Sequence, residues 1–218
     1  MKKIASFLII CFLSYHTKAQ SYLETPDGRV LFDGHEVNVE GTVYIPQEFK
    51  KGYLKFSNER KMTIPQVRFN SYDNRIEFKE GKEEKVLTLP IVEFGFEEAA
   101  GSMRVFKKGF PAIDRQTDGT FYEVAYDGKF KLLKYFKAHK FDVSGYNSAT
   151  KTMKFDINET LYLLKSDNTI VKVKKDKKSL LEALGKDESV VKEWWSKEKP
   201  NLKNETDLKA FLTYLDTL

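Results

Sequence analysis

The sequence predicts an α+β protein: a mainly antiparallel, curved sheet or open β-barrel-like meander, followed by three short C-terminal helices. Two observations predict the sheet. Several stretches alternate apolar and polar residues, which is the period of a half-buried strand. Turn residues also recur every 8–12 residues or so, as they do in a meander of short strands. A third observation predicts the helices, because the apolar residues after residue 175 recur at helical spacing.

The clearest hairpin covers residues 67–80, VRFNSYDNRIEFKE, with Asp73 and Asn74 as a two-residue turn. Asp and Asn tolerate the left-handed backbone that a tight hairpin turn requires. Because side chains alternate between the two faces of a strand, the hairpin has one apolar and one polar face. The apolar face consists of Val67, Phe69, Ile76 and Phe78, and the polar face of Arg68, Asn70, Tyr72, Arg75, Glu77 and Lys79.

Short strands are expected on both sides of this hairpin. Pro65, which cannot donate to a ladder, suits a strand end or an edge, and residues 113–119 are predicted to form a loop. The predicted strands are 30–32, 37–39, 42–45, 53–56 paired with 62–64, 86–89, 91–96, 103–106 and 153–157, with a further loop at 141–150.

Two more hairpins complete the predicted sheet. Residues 121–136 turn at Asp127-Gly128, a strong hairpin signal, and carry apolar side chains on both faces, with Glu123 and Lys134 placed diagonally across the pair. Residues 161–174 turn at Asp167-Asn168. The buried face of this third hairpin is predicted to consist of Tyr162, Leu164, Val171 and Val173.

Three helices follow, each with a capping residue at its start. Asp176 caps the first helix, which Gly185 ends; Asp187 opens the second, which ends before Pro200; Asn204 caps the third, with Asp207 at the capping-box position. Each helix is too short to be stable alone in water, so we expect all three to pack on the sheet or on each other. Their apolar residues are Leu180, Leu181, Leu184, Val190, Val191, Trp194, Trp195, Leu208, Phe211, Leu212 and Leu215.

The predicted organisation is a signal peptide at 1–19, a β-rich domain at 20–175 and a helical C-terminal segment at 176–218. Two lysines precede the apolar run at residues 4–13, and Thr17-Lys18-Ala19 offers small residues for cleavage before Gln20. A transmembrane helix would need roughly 20 apolar residues, about twice this run. Cys11 raises the alternative of a lipoprotein, but the bulky Ile10 before it argues against lipoprotein processing.

Removal of the signal peptide changes the charge of the chain. Lys2, Lys3 and Lys18 are lost, so Lys+Arg falls from 37 to 34 against 32 Asp+Glu, and the formal charge falls from +5 to +2. The composition therefore does not favour nucleic-acid binding. The single cysteine, Cys11, is also removed, which excludes thiol chemistry in the mature chain.

No catalytic, metal-binding or cofactor-binding constellation emerges from the sequence. The two histidines of the mature chain, His35 and His139, have no second histidine at metal-ligand spacing, and no nucleophile elbow or phosphate loop is present. His35 has acidic neighbours, but a solvated turn is the favoured interpretation. The adjacent pairs Glu83-Glu84 and Glu97-Glu98 would point to opposite faces of a strand, which does not suit a general acid and base that share one substrate.

Two features leave a choice between a functional and a structural interpretation. The lysines of residues 172–178 could meet an anionic headgroup or polymer, but a solvated junction that guards a sheet edge is favoured. Trp194 and Trp195 could form a sugar-stacking platform, but core packing is favoured. Adjacent helical residues diverge by about 100°, so only one of the two is expected to face the core squarely.

Several segments resemble a broad set of uncharacterised exported proteins of Gram-negative bacteria. These segments are SYDNRIEFK (71–79), FYEVAYDGKFKLLKYFK (121–137), LYLLKSDNTIVKVKKDKKSLLEALG (161–185) and DLKAFLTYLDTL (207–218). The resemblance spans most of the mature chain and is architectural. It implies a β-rich body with a helical C-terminus in the cell envelope, and it implies no activity and no catalytic residue.

The expected function is that of an exported, periplasmic or secreted protein that binds or supports other envelope components and is not an enzyme. The expected ligand is an apolar molecule or a glycan in the concavity of the sheet, or alternatively a protein of the envelope. A purely structural role is not separable from binding by sequence. The alternative is a hydrolase that acts on envelope polysaccharide or lipid, which would require a cleft that brings two carboxylates, or His35 and a carboxylate, together.

Overall fold

A computed structural model describes residues 37–99, 101–143 and 151–218, together with the backbone of two short strands near the N-terminus. The predicted signal peptide, His35 and most of the predicted loop at 141–150 lie outside the described residues.

The described strands form one large sheet and one small two-stranded pair. The pair consists of β1 (Leu23–Glu24) and β2 (Val30–Leu31). The large sheet consists of β3 (Val37–Gly41), β4 (Tyr44–Phe56), β5 (Lys61–Asn70), β6 (Arg75–Glu80), β7 (Glu83–Val86), β8 (Ile91–Ala99), β9 (Ser102–Lys107), β10 (Tyr122–Asp127), β11 (Lys131–Asp142), β12 (Lys151–Leu164) and β13 (Ile170–Val173).

The eleven-stranded sheet has the order β13-β12-β11-β10-β9-β8-β4-β5-β6-β7, with β3 on the same edge of β12 as β13. The neighbouring strands pair antiparallel except for β3, which runs parallel to β12. The predicted β-rich body with C-terminal helices is confirmed at this level. The sheet is mixed and open, because β7 and β13 end it on opposite sides without pairing.

The sheet curls so strongly that distant strands touch. β5 and β11 are five steps apart in the strand order, which would separate them by about 24 Å in a flat sheet. The Ala138 N–H of β11 nevertheless lies 3.4 Å from the Ser71 carbonyl oxygen at the end of β5. Ser71 in turn donates its N–H to the Val43 carbonyl over 2.8 Å. The concave face is therefore largely closed by the sheet itself.

One part of the concave face is filled by a cluster that we call the phenylalanine core. Its rings come from distant as well as neighbouring parts of the sheet: Phe69 of β5 lies 6.2 Å from Phe121, the residue before β10, and Phe94 of β8 stacks on its cross-strand partner Phe106 at 4.9 Å between ring centroids. The buried members are Ile45, Leu54, Phe56, Ile64, Val67, Phe69, Ile76, Ile91, Phe94, Phe96, Phe106 and Phe121, with Phe78, Leu87, Phe136 and Ile157 packed against them.

The other part is covered by the helices α1 (Lys177–Leu184), α2 (Lys192–Glu198) and α3 (Glu205–Thr217), with a 3-10 turn at Glu188–Val191. We call this cluster the helix-covered core. Its buried members are Phe130, Leu132, Leu161, Leu163, Val173, Leu180, Leu181, Val191, Leu202, Leu208, Phe211, Leu212 and Leu215. The same strands β11 and β12 contribute to both cores, because Phe136 and Ile157 pack on the phenylalanine core.

The first and third helices begin and end at the predicted residues, whereas Asp187 caps the 3-10 turn that leads into α2. Asp176 accepts the Ser179 N–H, and Gly185 ends α1 in the left-handed conformation at φ +64°. Asn204 accepts two N–H groups of the first turn of α3. The predicted capping box is wrong in one respect: the Asp207 carboxylate accepts the N–H of Asn201, at 2.8 Å, and so ties α3 to the segment that precedes it.

The first hairpin keeps its predicted faces but has a different register. Phe69 pairs with Ile76 and Asn70 with Arg75, so the connection contains four residues, 71–74, and not two. The reason is the Asn70 side chain, whose Oδ1 accepts the N–H groups of Tyr72 and Asp73 at 3.0 and 3.1 Å. The register is shifted by two residues, and a shift of two leaves each side chain on its face.

The third hairpin corrects the prediction more strongly. Lys165 donates its N–H to the Thr169 carbonyl, so the loop has three residues and the register differs by one from the predicted pairing. A shift of one moves side chains to the opposite face. Leu161, Leu163, Val171 and Val173 consequently face the helices, and Tyr162 and Leu164 pack on the other face of the sheet.

Candidate functional site

The concave face does not offer the predicted ligand cavity. The described phenylalanine core and helix-covered core fill it with side chains, and the cleft between α3 and β11 encloses only about 10 Å³. The expected position of the ligand, in the concavity of the sheet, therefore has no support from the described residues. Space for a ligand lies instead at the ends and the edge of the sheet.

The best-formed cleft lies where the first hairpin meets the end of β3, and we call it the rim cleft. Its volume is about 250 Å³. The chain segment that leaves β3, the turn of the first hairpin and β12 form its walls. The residues that matter for its chemistry are Val39, Val43, Tyr44, Tyr72, Asp73 and Phe155.

Gly41 allows β3 and β12 to approach closely at this cleft. It has φ +77°, and a Cβ on this residue would lie 2.1 Å from the carbonyl oxygen of Phe155. Any side chain would therefore clash with the backbone of β12 as well as strain its own. The glycine lets the chain turn directly from β3 towards β4, which places Thr42 and Val43 in the wall of the cleft.

The turn of the first hairpin holds Tyr72 in the opposite wall. Its ring meets the Phe155 ring edge to face, with 5.7 Å between centroids and an interplanar angle of 85°. Lys137 donates to the Tyr72 carbonyl oxygen over 2.5 Å, and its ammonium lies 5.3 Å from the centre of the Tyr72 ring. The aromatic wall is thus built from two half-buried rings that are fixed by contacts to three different strands.

Tyr44 joins the cleft to a buried charged cluster on the convex face. The Arg68 guanidinium carbon lies 3.4 Å from the Tyr44 ring centroid and 4.1 Å from that of Phe49, and Arg68 Nη2 bonds Glu77 and Glu84 at 2.8 Å each. Burial, together with the charge of Glu77, raises the pKa of the Tyr44 hydroxyl. The Tyr44 hydroxyl also hydrogen-bonds the Glu77 carboxylate, which ties this side chain to the charged cluster.

This cluster was not predicted, because the polar face of the first hairpin was expected to be solvated. Ile45 of β4 pairs with Phe69 of β5, and Lys50 pairs with Val67. The four residues of β4 between them lie opposite a single residue of β5, so β4 forms a bulge of three extra residues. The bulge folds over the face and buries Arg68, whose side chain is only 11% exposed. The sequence around Tyr44 and Phe49, YIPQEFKK, carries no pattern that would have marked this cluster.

A second unpredicted set of charges lies between the two cores, and we call it the ion-pair seam. Arg104 Nη2 contacts Glu123 Oε2 at 2.6 Å, and the Lys134 ammonium binds the Glu205 carboxylate of α3. Glu123 and Lys134 were expected to interact with each other diagonally. They lie directly opposite in the register, and each pairs with a partner from another element. Glu98 contacts Arg104 at 3.5 Å.

The other predicted candidates are dispersed. His139 is exposed on β11 opposite Asp156, and His35 lies outside the described residues. Glu83 and Glu84 bind different cations, Lys85 and Arg68. Within the described ranges, no group of three or more His, Cys, Asp or Glu side chains is placed to hold a metal ion.

Core packing is confirmed for both tryptophans. Trp194 stacks on Tyr214 with 5.1 Å between centroids, and Trp195 meets the Phe211 ring edge-on at 5.1 Å. Both side chains are half-buried against the helix-covered core. Neither forms the exposed platform that a sugar-binding role for the helices would need.

Three lysines of residues 172–178, namely Lys172, Lys174 and Lys175, line a shallow cleft of about 360 Å³ beside β12 and β13. One carboxylate lines this cleft, Glu159, and one lines the rim cleft, Asp73. These clefts therefore give no support to a hydrolase with two carboxylates around one substrate.

Comparison of the chain with known protein families, characterised proteins and solved structures finds no match. Among the helices of the described residues, none has both the length and the apolar character that are needed to cross a membrane.

Proposed function

We propose that this chain is an exported, non-catalytic binding protein of the cell envelope, and that the rim cleft holds its ligand. The observation that carries the proposal is the aromatic wall of Tyr72 and Phe155, which together with Tyr44 lines a cleft of about 250 Å³. Clefts for drug-sized ligands usually enclose about 300–1,000 Å³. The rim cleft is slightly smaller, and its size suits a single ring.

The ligand class follows from the wall chemistry. Aromatic faces stack on the apolar face of a sugar ring or on another flat ring. The Asp73 carboxylate, which pairs with Arg75 at 2.8 Å, can accept a hydrogen bond from the ligand. A neutral glycan uses both features, whereas an apolar ring uses only the stacking.

The export part of the proposal rests on the N-terminal sequence. The two lysines, the apolar run at residues 4–13 and the small residues before Gln20 support a cleaved signal peptide. A periplasmic or secreted location places the rim cleft among envelope glycans. A lipid-anchored form through Cys11 remains the less favoured alternative.

The proposal is tested by NMR. The isotope-labelled protein is titrated with a neutral N-acetylated disaccharide and, separately, with indole as an apolar ring. Amide shifts are expected at residues 42–44, 72–73 and 155. Tyr72→Ala should weaken binding about two- to tenfold, since an aromatic contact contributes about 0.5–1.5 kcal/mol. Phe141→Ala is the matched control, because this ring is 47% exposed on β11 and lies outside the cleft.

Either probe that shifts the cleft amides supports the proposal and identifies the ligand class. Binding by the disaccharide but not by indole indicates a glycan, and the reverse indicates an apolar ligand. The proposal is wrong if neither probe shifts these amides, or if Phe141→Ala weakens binding as much as Tyr72→Ala does.

A further inference from the structure

β12 is the longest strand of the sheet, with 14 residues, and one of its edges is covered only in part. β3 pairs with residues 151–155 of this edge, and β13 pairs with residues 161–164. Between them, residues 156–160 have no strand partner on that side among the described residues. We call this stretch the open edge of β12.

The hydrogen bonds at both ends of β12 show which backbone groups face the open edge. Val143 donates its N–H to the Thr152 carbonyl over 2.9 Å, so even-numbered residues of β12 face β11. Lys165 donates its N–H to the Thr169 carbonyl over 2.8 Å, so odd-numbered residues face β13. β12 pairs with β11 without a register shift from residue 153 to residue 164, so the alternation is unbroken.

The N–H and C=O groups of Ile157 and Glu159 therefore point into the gap between β3 and β13. Five residues of strand extend over about 17 Å, which is long enough for a short extended segment to lie alongside. A peptide that pairs with an exposed sheet edge gains affinity from main-chain hydrogen bonds and specificity from its side chains. The open edge provides the main-chain hydrogen bonds.

Basic side chains beside the open edge provide the specificity. The cleft of about 360 Å³ beside this edge is lined by Lys172, Lys174 and Lys175. Lys175 pairs with Glu159 at 2.8 Å and Lys172 lies 3.6 Å from Asp114, whereas no ion pair joins Lys174 to a described carboxylate. Three ammonium groups and two carboxylates therefore lie at this edge, and their net charge is one positive unit.

We propose that the open edge of β12 binds an acidic, extended peptide segment of a partner protein. The segment adds as a short strand whose main chain bonds Ile157 and Glu159, and its carboxylates lie among Lys172, Lys174 and Lys175. Lysines on a sheet edge oppose pairing with neutral or basic strands. An acidic strand removes that opposition and gains from charge complementarity.

This site is separate from the rim cleft. The rim cleft uses Phe155 and the chain that leaves β3, whereas the open edge begins beyond that point and its cleft is lined by Glu159, Thr160 and residues of β13. Failure of one proposal therefore leaves the other intact. The two sites are distinguished by the amides that respond.

The test is amide hydrogen exchange of the full chain, alone and with the peptide acetyl-VEVEV-amide. In the free protein, the amides of Ile157 and Glu159 should exchange quickly, and those of Asn158 and Thr160, which face β11, should exchange slowly. The acidic peptide should slow exchange at 157 and 159 only. The matched basic peptide acetyl-VKVKV-amide should not.

A double charge reversal tests the lysines. Lys172→Glu with Lys174→Glu should weaken peptide binding roughly tenfold or more, as expected for the loss of charge complementarity at an interface. Lys178→Glu is the control, because this lysine belongs to the same run but is 76% exposed on α1 and does not line the cleft. It should leave binding within about twofold, a surface charge having little effect.

Three results would each overturn the proposal. The amides of 157 and 159 could be as slow as those of 158 and 160 in the dilute free protein, which would mean that the edge is already covered. The basic peptide could protect them as well as the acidic one. Protection could also grow with protein concentration without any peptide, in which case the partner at this edge is a second copy of the chain.

Discussion

The phenylalanine core and the helix-covered core lie on the same face of one sheet, yet they are closed in different ways. In the first, the sheet curls until rings of β5 and β8 meet Phe121, the residue before β10. In the second, three helices supply the missing layer. The difference follows from the side chains: a dense set of phenylalanines fills a curled sheet without help, whereas the leucines of β11 and β12 need a partner surface.

The ion-pair seam marks the border between the two. Arg104 and Glu123 belong to the sheet, and Lys134 reaches Glu205 at the start of α3. Because β11 and β12 pass through both cores, we infer that the cores unfold together. Both tryptophans lie in the helical segment, so their fluorescence reports on that part alone, whereas circular dichroism reports mainly on the sheet.

The largest expected loss of stability comes from a substitution in the phenylalanine core. Phe106 is fully buried and stacks on Phe94, and its replacement by alanine should cost about 3–5 kcal/mol of unfolding free energy. Denaturant titration should show the loss equally by tryptophan fluorescence and by circular dichroism. If the denaturation midpoint measured by tryptophan fluorescence stays at the wild-type value, the helical segment unfolds independently of the phenylalanine core.

A smaller loss is expected at the seam. Glu123→Gln leaves the Arg104 guanidinium, 20% exposed, without its closest carboxylate, and should cost about 3 kcal/mol. The double variant Arg104→Met with Glu123→Leu removes both charges and should recover most of that stability, as apolar replacements of buried ion pairs often do. If the double variant is less stable than Glu123→Gln, the pair itself and not the unpaired charge determines the stability.

The cap of α3 should have an effect of about 1 kcal/mol. Asn204 Oδ1 accepts the N–H groups of Thr206 and Asp207 at 2.8 and 3.2 Å, and Asn204→Ala leaves both without that acceptor. Asn201→Ala is the comparison, since this side chain accepts only the exposed Lys203 N–H at 3.2 Å. Equal losses in the two variants would show that the cap has no special role in holding the helix on the sheet.

The smallest effect concerns pH. The hydrogen bond from the Lys134 ammonium lowers the pKa of the Glu205 carboxyl below its ordinary value of 4.5. A lowered folded-state pKa stabilises the protein above about pH 4.5, and this contribution is lost as the pH falls through the folded-state pKa.

Glu205→Gln should therefore flatten the loss of stability in acid, and at neutral pH it leaves the buried Lys134 ammonium without its carboxylate. Glu188→Gln is a matched control, since Glu188 is equally exposed, at 58%, and pairs with Lys177 on the helical surface. Identical acid profiles of wild type and Glu205→Gln would contradict the assignment.

The sequence predicts local features of this fold well. Asp176, Gly185 and Asn204 mark the helix ends because capping depends on neighbouring residues only. The faces of the first hairpin follow from its alternation, even though its loop is longer than predicted. Loop length was the weak point, and in the third hairpin a single residue exchanged the faces.

Features that depend on contacts between residues distant in sequence could not be predicted from local sequence patterns. The parallel pairing of β3 with β12 joins residues more than 100 positions apart, and no local pattern marks it. The bulge of β4 over Arg68 and the seam partners of Glu123 and Lys134 depend on tertiary contacts in the same way. The rim cleft is made by three such distant segments, so its residues gave no signal as a group.

The central claim is that a ligand occupies the rim cleft and not the concave face. It is tested most directly by native mass spectrometry of the protein recovered gently from its own host. We expect an extra mass on the wild type that is lost on denaturation, is retained by Phe141→Ala and is absent from the double variant Tyr72→Ala with Phe155→Ala. A bare wild-type mass, or an extra mass that survives loss of both rim-cleft rings, would contradict it.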